Sequence, residues 1–140
     1  MTVTLQNKLN IPSSYEHLAD VERMIEDVCD QFRVNEDYFG NILVAVTEAV
    51  NNAIQHGNKS NPGKKIEIEF TSKGNELSFR VKDEGEGFDY NNLPDPTDPQ
   101  NIEKINGRGV FLMKNLADDV NFFENGRIVE LNFRPIQASA

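Results

Sequence analysis

Three short stretches of this sequence hold residue types whose spacing could do chemistry. In residues 47–58, TEAVNNAIQHGN, Glu48, Asn52 and His56 recur every four positions. A helix therefore stands them in one row with Asn51 close beside it. Asn is a mediocre helix former, and an ordinary surface row would carry Lys, Glu or Gln, yet no Lys or Arg occurs from Ile42 to Asn58. A carboxylate and a carboxamide one turn apart can do paired work. The Asn carbonyl oxygen is a hard ligand for Mg²⁺, and Glu can position or deprotonate a nucleophile. The second stretch, VKDEGEGF at 81–88, puts Asp83 at the end of a strand, where ligands of α/β sheets collect. Gly85 and Gly87 beside it let the backbone turn sharply and come close to a ligand. The third, GRGVFLM at 107–113, runs Gly107 and Gly109 into a helix. A Gly-rich turn at a helix N-terminus aims free N–H groups and a positive dipole end at an anion, and Arg108 adds charge if it turns inward. No G-x-G-x-x-G follows the first strand and no GK[ST] occurs, which excludes the Rossmann fingerprint and the P-loop.

Elements must hold these groups together. Val3, Leu5 and Leu9 alternate as a first strand. Ser13-Ser-Tyr-Glu16 reads as a capping box for a helix carrying Leu18, Val21, Ile25, Val28 and Phe32 at helical spacing, ending near Arg33. Asn35, followed by Glu36 and Asp37, opens a second helix that runs through Leu43, Val46, Val50 and Ile54 to a stop at Gly57. The period then changes to two. Ile66, Ile68 and Phe70, then Leu77, Phe79 and Val81, predict two strands joined by a turn. Residues 84–109 break the pattern, with Pro94, Pro96 and Pro99 between two glycine pairs. A third helix is predicted from Val110 to about Ala117. Strands Val120–Glu124 and Arg127–Phe133 then meet at Asn125-Gly126, a two-residue hairpin signal. This order predicts an α+β two-layer sandwich, a mixed, mostly antiparallel sheet covered on one face by about three helices.

Composition narrows the classes. At 140 residues, with 38% apolar and 26% charged residues, the chain reads as one globular domain able to bury a real core. No apolar run reaches membrane-spanning length, and the N-terminal ten residues lack a signal-peptide pattern, so a cytoplasmic protein without a membrane partner is expected. A formal charge of −9 with scattered basic residues argues against a nucleic-acid surface. An acidic chain can still hold an anion through backbone N–H groups and a metal ion. Cys29, the sole cysteine, falls on an apolar helix stripe and reads as core.

Taken in order, E-x-x-x-N on a helix, D-x-G-x-G after a strand, a variable loop, and G-x-G opening a helix resemble the GHKL ATPase superfamily, whose ATP-binding fold is of the Bergerat type. Its members include histidine kinases, DNA gyrase, MutL, a heat-shock chaperone and the anti-sigma factor serine kinases. The motifs cover residues 40–119, and the short chain with VTEAVNNAIQHGN and GRGVFLM is most similar to the last group. That resemblance implies a single kinase domain over 1–140 with an ATP lid at about 88–106. It implies ATP and Mg²⁺ as cofactors, a serine of an anti-anti-sigma protein as acceptor, a sigma factor as sequestered partner, and a homodimer. Residue by residue, it makes Glu48 the general base and Asn52 the Mg²⁺ ligand. Asp83 receives the adenine amino group, and Gly85 and Gly87 shape the adenine pocket. Gly107 and Gly109 bring N–H groups to the phosphates, with Lys104, Arg108 and Val110 completing the nucleotide-binding set, while His56 and Gly57 support the pocket. Two departures stand out. Asn106 occupies the place where many relatives have a lid Arg, and GRIVELNF has no Thr where many place one near adenine. The alternatives are a nucleotide-gated binding module without phosphotransfer, and a detached histidine-kinase-type catalytic domain.

Overall fold

The computed structural model describes residues 6–73, 76–85 and 105–134. Strand β1 (Gln6–Pro12) is followed by a 3₁₀ turn (Tyr15–His17) and two helices, α1 (Leu18–Gln31) and α2 (Glu36–Asn52). Strands β2 (Lys65–Lys73) and β3 (Glu76–Lys82) come next, then helix α3 (Ile105–Leu116), β4 (Asp119–Phe123) and β5 (Ile128–Phe133). The sheet order is β1-β2-β3-β5-β4. Every pairing is antiparallel, so the described sheet is not mixed as expected. The crossover from β3 to β5 carries α3 and β4 with it and brings α3 against α2.

Alternation along the strands explains the two layers. Ile66, Ile68 and Phe70 of β2, Leu77, Phe79 and Val81 of β3, and Val129, Leu131 and Phe133 of β5 are all buried. They meet Val21, Ile25 and Val28 of α1, Ile42, Val46 and Val50 of α2, and Met113 of α3 in one core. Each such side chain stabilises the fold by roughly 1.5–3 kcal/mol when fully removed from water. The residues between them form a polar face with ion pairs Lys8–Glu67 (2.9 Å) and Arg80–Glu130 (2.7 Å). Cys29 is buried in the core, and that burial pushes its thiol up to about 11.

Some local expectations give way to long-range contacts. Ser13 does not cap α1. It is buried, its Oγ donates to the Lys64 carbonyl (3.0 Å), and Ser14 caps the 3₁₀ turn instead. Val3 and Leu5 of the expected first strand lie outside the described residues, and within β1 Leu9 and Ile11 pair with Ile68 and Ile66. Pro12 ends this edge strand, a position where a missing N–H costs no ladder bond. The β4–β5 connection spans Glu124 to Arg127 rather than two residues, with Glu124 at φ 51° and Gly126 at φ 88°. Helix α3 starts at Ile105, so Gly107 and Gly109 lie inside its first turns and not in a turn before it.

Candidate functional site

The last turns of α2 are irregular, and the irregularity builds the site. Residues Ala53–Gly57 continue α2 as a π turn, with the Asn58 N–H donating to the Ala53 carbonyl (2.8 Å) and the Ser60 N–H to the Ile54 carbonyl (2.7 Å). Such wide turns inside helices cluster at functional sites. The turn keeps Ala53 and Ile54 in the core and sets Gly57 directly against Asp83. A Cβ on Gly57 would overlap the Asp83 side chain, and a Cβ on Gly85 would overlap the Gly57 carbonyl. Glycine is therefore required at both places for space, and the end of α2 and the loop after β3 touch backbone to backbone.

Asn58 locks this contact. It is fully buried, its Nδ2 donates to Ser13 Oγ (2.6 Å) and to the Lys65 carbonyl (3.0 Å), and its Oδ1 accepts from the Glu84 N–H (2.7 Å). One side chain thus ties the end of α2 to the starts of β2 and of the loop after β3. On the other side the Asp83 N–H donates to the Arg127 carbonyl (3.0 Å), one step beyond the Lys82–Ile128 pair. The sheet ladder so places the β4–β5 connection beside Asp83.

Between these segments lies a pocket. Ala49, Asn52, Ala53, His56 and Gly57 line it from α2 and its π turn. Val81, Asp83 and Val129 line it from the sheet, Met113 from α3, and Phe122, Gly126 and Arg127 from β4 and the connection after it. The walls are apolar with a few polar groups, the usual make-up of a small-molecule site. Asp83 Oδ1 accepts from the Gly85 N–H (2.8 Å). Burial pushes the Asp83 carboxyl above its usual range, against the opposing pull of that N–H and of the Arg127 and Lys64 charges. Burial also holds the His56 imidazole below its ordinary value. Among the described residues, two buried nitrogens on the pocket residues, His56 Nε2 and Arg127 Nε, have no hydrogen-bond partner, and neither has Asn51 Oδ1 on α2. Buried polar groups are nearly always paired, so each exception needs a reason. A ligand that supplies acceptors and donors is such a reason for the two in the pocket.

Set against the sequence expectations, Asn52 and Asp83 meet at one pocket, with Gly85 packed behind Asp83. Glu48 sits half-buried one turn before Asn52 and outside the pocket wall. Val110 is buried in the core through α3, and it too is off the pocket wall. Gly107, Arg108 and Gly109 fall in the first turns of α3, of which only the backbone is described. Gly87, Lys104 and nearly all of the expected lid lie outside the described residues. Sequence reasoning missed Asn58 and Arg127. The first stood in plain view at the end of TEAVNNAIQHGN, where a buried Asn just beyond a helix stop could have been asked for its partners.

A Bergerat-type sandwich with this pocket defines a class. The histidine kinase-like ATPase domain family matches residues 11–133, and the chain belongs to that family. Within it, the chain is similar to curated proteins named serine-protein kinase RsbW. Those of Bacillus cereus (strain AH820) and of Bacillus anthracis are each 29% identical over 93% of this chain and 84% of their own length. Among solved structures, the RsbU and RsbW domains of a Mycobacterium tuberculosis protein share the fold at a TM-score of 0.67 and 13% identity. That match covers 97% of this chain and 35% of the other. No described helix is long and apolar enough to cross a membrane.

Proposed function

We propose that the chain is an ATP-dependent protein serine kinase and anti-sigma factor. In this reading one domain spans 1–140, works in the cytoplasm as a homodimer, and phosphorylates a serine of an anti-anti-sigma antagonist. It sequesters a sigma factor when that antagonist is absent. The observation that carries the reading is the pocket at the end of α2, where Asn52 and the buried Asp83 share one cavity with two unpaired nitrogens. Family membership and similarity to the RsbW serine-protein kinases support it.

The roles follow from chemistry. Asp83 presents a buried acceptor to the exocyclic amino group of adenine, while Val81, Met113 and Val129 offer the ring apolar walls. Gly85 and Gly87 give the loop its close approach to the base. Asn52, at the pocket wall, would hold Mg²⁺ through its side-chain carbonyl oxygen. Mg²⁺, when bound, supplies charge neutralisation of the triphosphate. Gly107, in the first turn of α3, offers a free backbone N–H to the phosphates, while Gly109 and Val110 continue the helix behind it and Lys104 and Arg108 supply positive charge. Glu48, one turn from Asn52 and off the pocket wall, takes the proton of the incoming serine hydroxyl. The serine oxygen bonds to the γ-phosphorus and the bond to the β–γ bridging oxygen breaks, leaving ADP.

Calorimetry with ATP and Mg²⁺, followed by phosphate transfer to a candidate antagonist, tests the reading. Glu48→Gln is expected to lower transfer by about 10²–10⁴-fold, the usual share of a general base, with nucleotide affinity kept. Binding of ATP without transfer to any serine acceptor would leave a nucleotide-gated binding module, and an acid-labile phosphohistidine would point to a histidine-kinase-type domain.

A further inference from the structure

We infer that Arg127 is a nucleobase-reading residue that works as a pair with Asp83. The inference rests on the ATP-binding reading above and adds to it the group that recognises the ring beside the amino position. Arg127 follows Gly126 in the β4–β5 connection, and both line the pocket. Its carbonyl accepts from the Asp83 N–H (3.0 Å), so the two residues are fixed to each other by backbone. Its Nε is buried and has no hydrogen-bond partner among the described residues. A guanidinium cannot be deprotonated in proteins, so this N–H stays a donor at every working pH. A buried donor without an acceptor is costly unless something else supplies one.

Asp83 and Arg127 together present an acceptor and a donor side by side. Asp83 Oδ1 already accepts from the Gly85 N–H, which leaves the other carboxyl oxygen for a ligand. The complementary ligand edge has a donor next to an acceptor. Adenine has that pattern on both sides of C6, as the amino group with N1 or the amino group with N7. Guanine reverses it at C6, where a carbonyl would face the Asp83 oxygen. The pair therefore selects adenine over guanine at two points instead of one, and a missing polar partner in such a site is penalised more heavily than a missing methylene.

Calorimetry on the full chain with Mg²⁺ and four nucleotides tests this: ATP, 1-deaza-ATP, 7-deaza-ATP and GTP. ATP is expected to bind about tenfold more tightly than one of the two deaza analogues, and the analogue that suffers identifies the ring nitrogen that Arg127 reads. Arg127→Met, which keeps the stem and removes the donors, is expected to bind ATP and that analogue equally. Arg127→Lys, which keeps the charge without the fork, is expected to restore part of the difference. Equal binding of ATP and both analogues by the unaltered protein overturns the inference while leaving ATP binding intact. An unchanged penalty in Arg127→Met overturns it as well. Failure of every adenine nucleotide to bind the unaltered protein overturns the ATP-binding reading itself, and the inference falls with it.

Discussion

At its start, α2 is closed by Asn35, whose Oδ1 accepts from the Asp37 N–H (2.9 Å), with Glu36 and Asp37 placed at the positive end of the helix. One residue on, the Tyr38 hydroxyl donates to Asp118 (2.6 Å), which also accepts from the Arg134 N–H (2.6 Å). At its other end the same helix widens into a π turn, packs glycine on backbone, and leaves a buried imidazole nitrogen unpaired. The first end follows the ordinary rules for stopping a helix. The second breaks three of them within five residues, and the residues that break them line or support one pocket. Departures from local preference concentrate where a site is being built.

Removing Asn58 should break the irregular end most severely. Asn58→Ala takes away partners from Ser13, the Lys65 carbonyl and the Glu84 N–H, all at one buried point. We expect a loss of about 3 kcal/mol in denaturant unfolding, since each orphaned buried group costs about 1–3 kcal/mol and shared networks are not additive. ATP affinity should fall with it, because the loop after Asp83 loses its anchor. Gly85→Ala comes next, at about 2 kcal/mol, the typical cost of forcing a methyl into filled space. Its Cβ meets the Gly57 carbonyl, so the backbone must part there and nucleotide affinity should drop more than stability does. Retained affinity in either variant would separate the π turn from the site.

The sequence alone made much of this legible, and the limits have physical causes. The change of hydrophobic period at Ile66 marked the boundary between helices and sheet because a one-sided sheet buries alternate residues. Asn52 stood out because Asn is a poor choice for a plain helix row, Glu48 because it stands one turn from it, and Asp83 because it ends a strand beside two glycines. The role of Ser13 was misread because a capping box is a local signal. Its real partners, Asn58 and Lys64, are 45 and 51 residues away and depend on how β1 pairs with β2. Arg127 looked like a strand start, and only the sheet register shows that its carbonyl continues the ladder to Asp83. The early start of α3 has a similar cause. Two glycines cost the helix about 1 kcal/mol each, an amount tertiary packing can override.

The regular end of α2 should respond to substitution more mildly and without consequence for ligand. Asn35→Ala is expected to cost about 1 kcal/mol in unfolding experiments, as for other caps, with ATP affinity unchanged. A change in nucleotide affinity from this position would mean that the two ends of α2 are coupled through the helix rather than built independently.

The smallest effect sharpens the comparison through pH. Burial holds the His56 imidazole below its ordinary 6.5, so the unfolded chain takes up a proton there at a higher pH than the folded chain does. The stability this site contributes is complete above pH 6.5 and is lost as pH falls from 6.5 toward the lower folded value. At the other end, burial first and Asp118 second push the Tyr38 hydroxyl from 10.0 up to about 12. Its contribution is present below pH 10 and is lost as pH rises toward 12. Urea titrations at intervals from pH 5.5 to 7.5 should show an acid-side decline that flattens in His56→Gln. Asp83 acts in the opposite sense, since its raised value makes acid favour the folded chain, so the His56 slope is read as the difference between the unaltered protein and His56→Gln. Alkaline titrations should show a decline that disappears in Tyr38→Phe and persists in His56→Gln. If His56→Gln leaves the acid slope unchanged, the imidazole is paired in solution, and the pocket holds one unpaired nitrogen, at Arg127, instead of two.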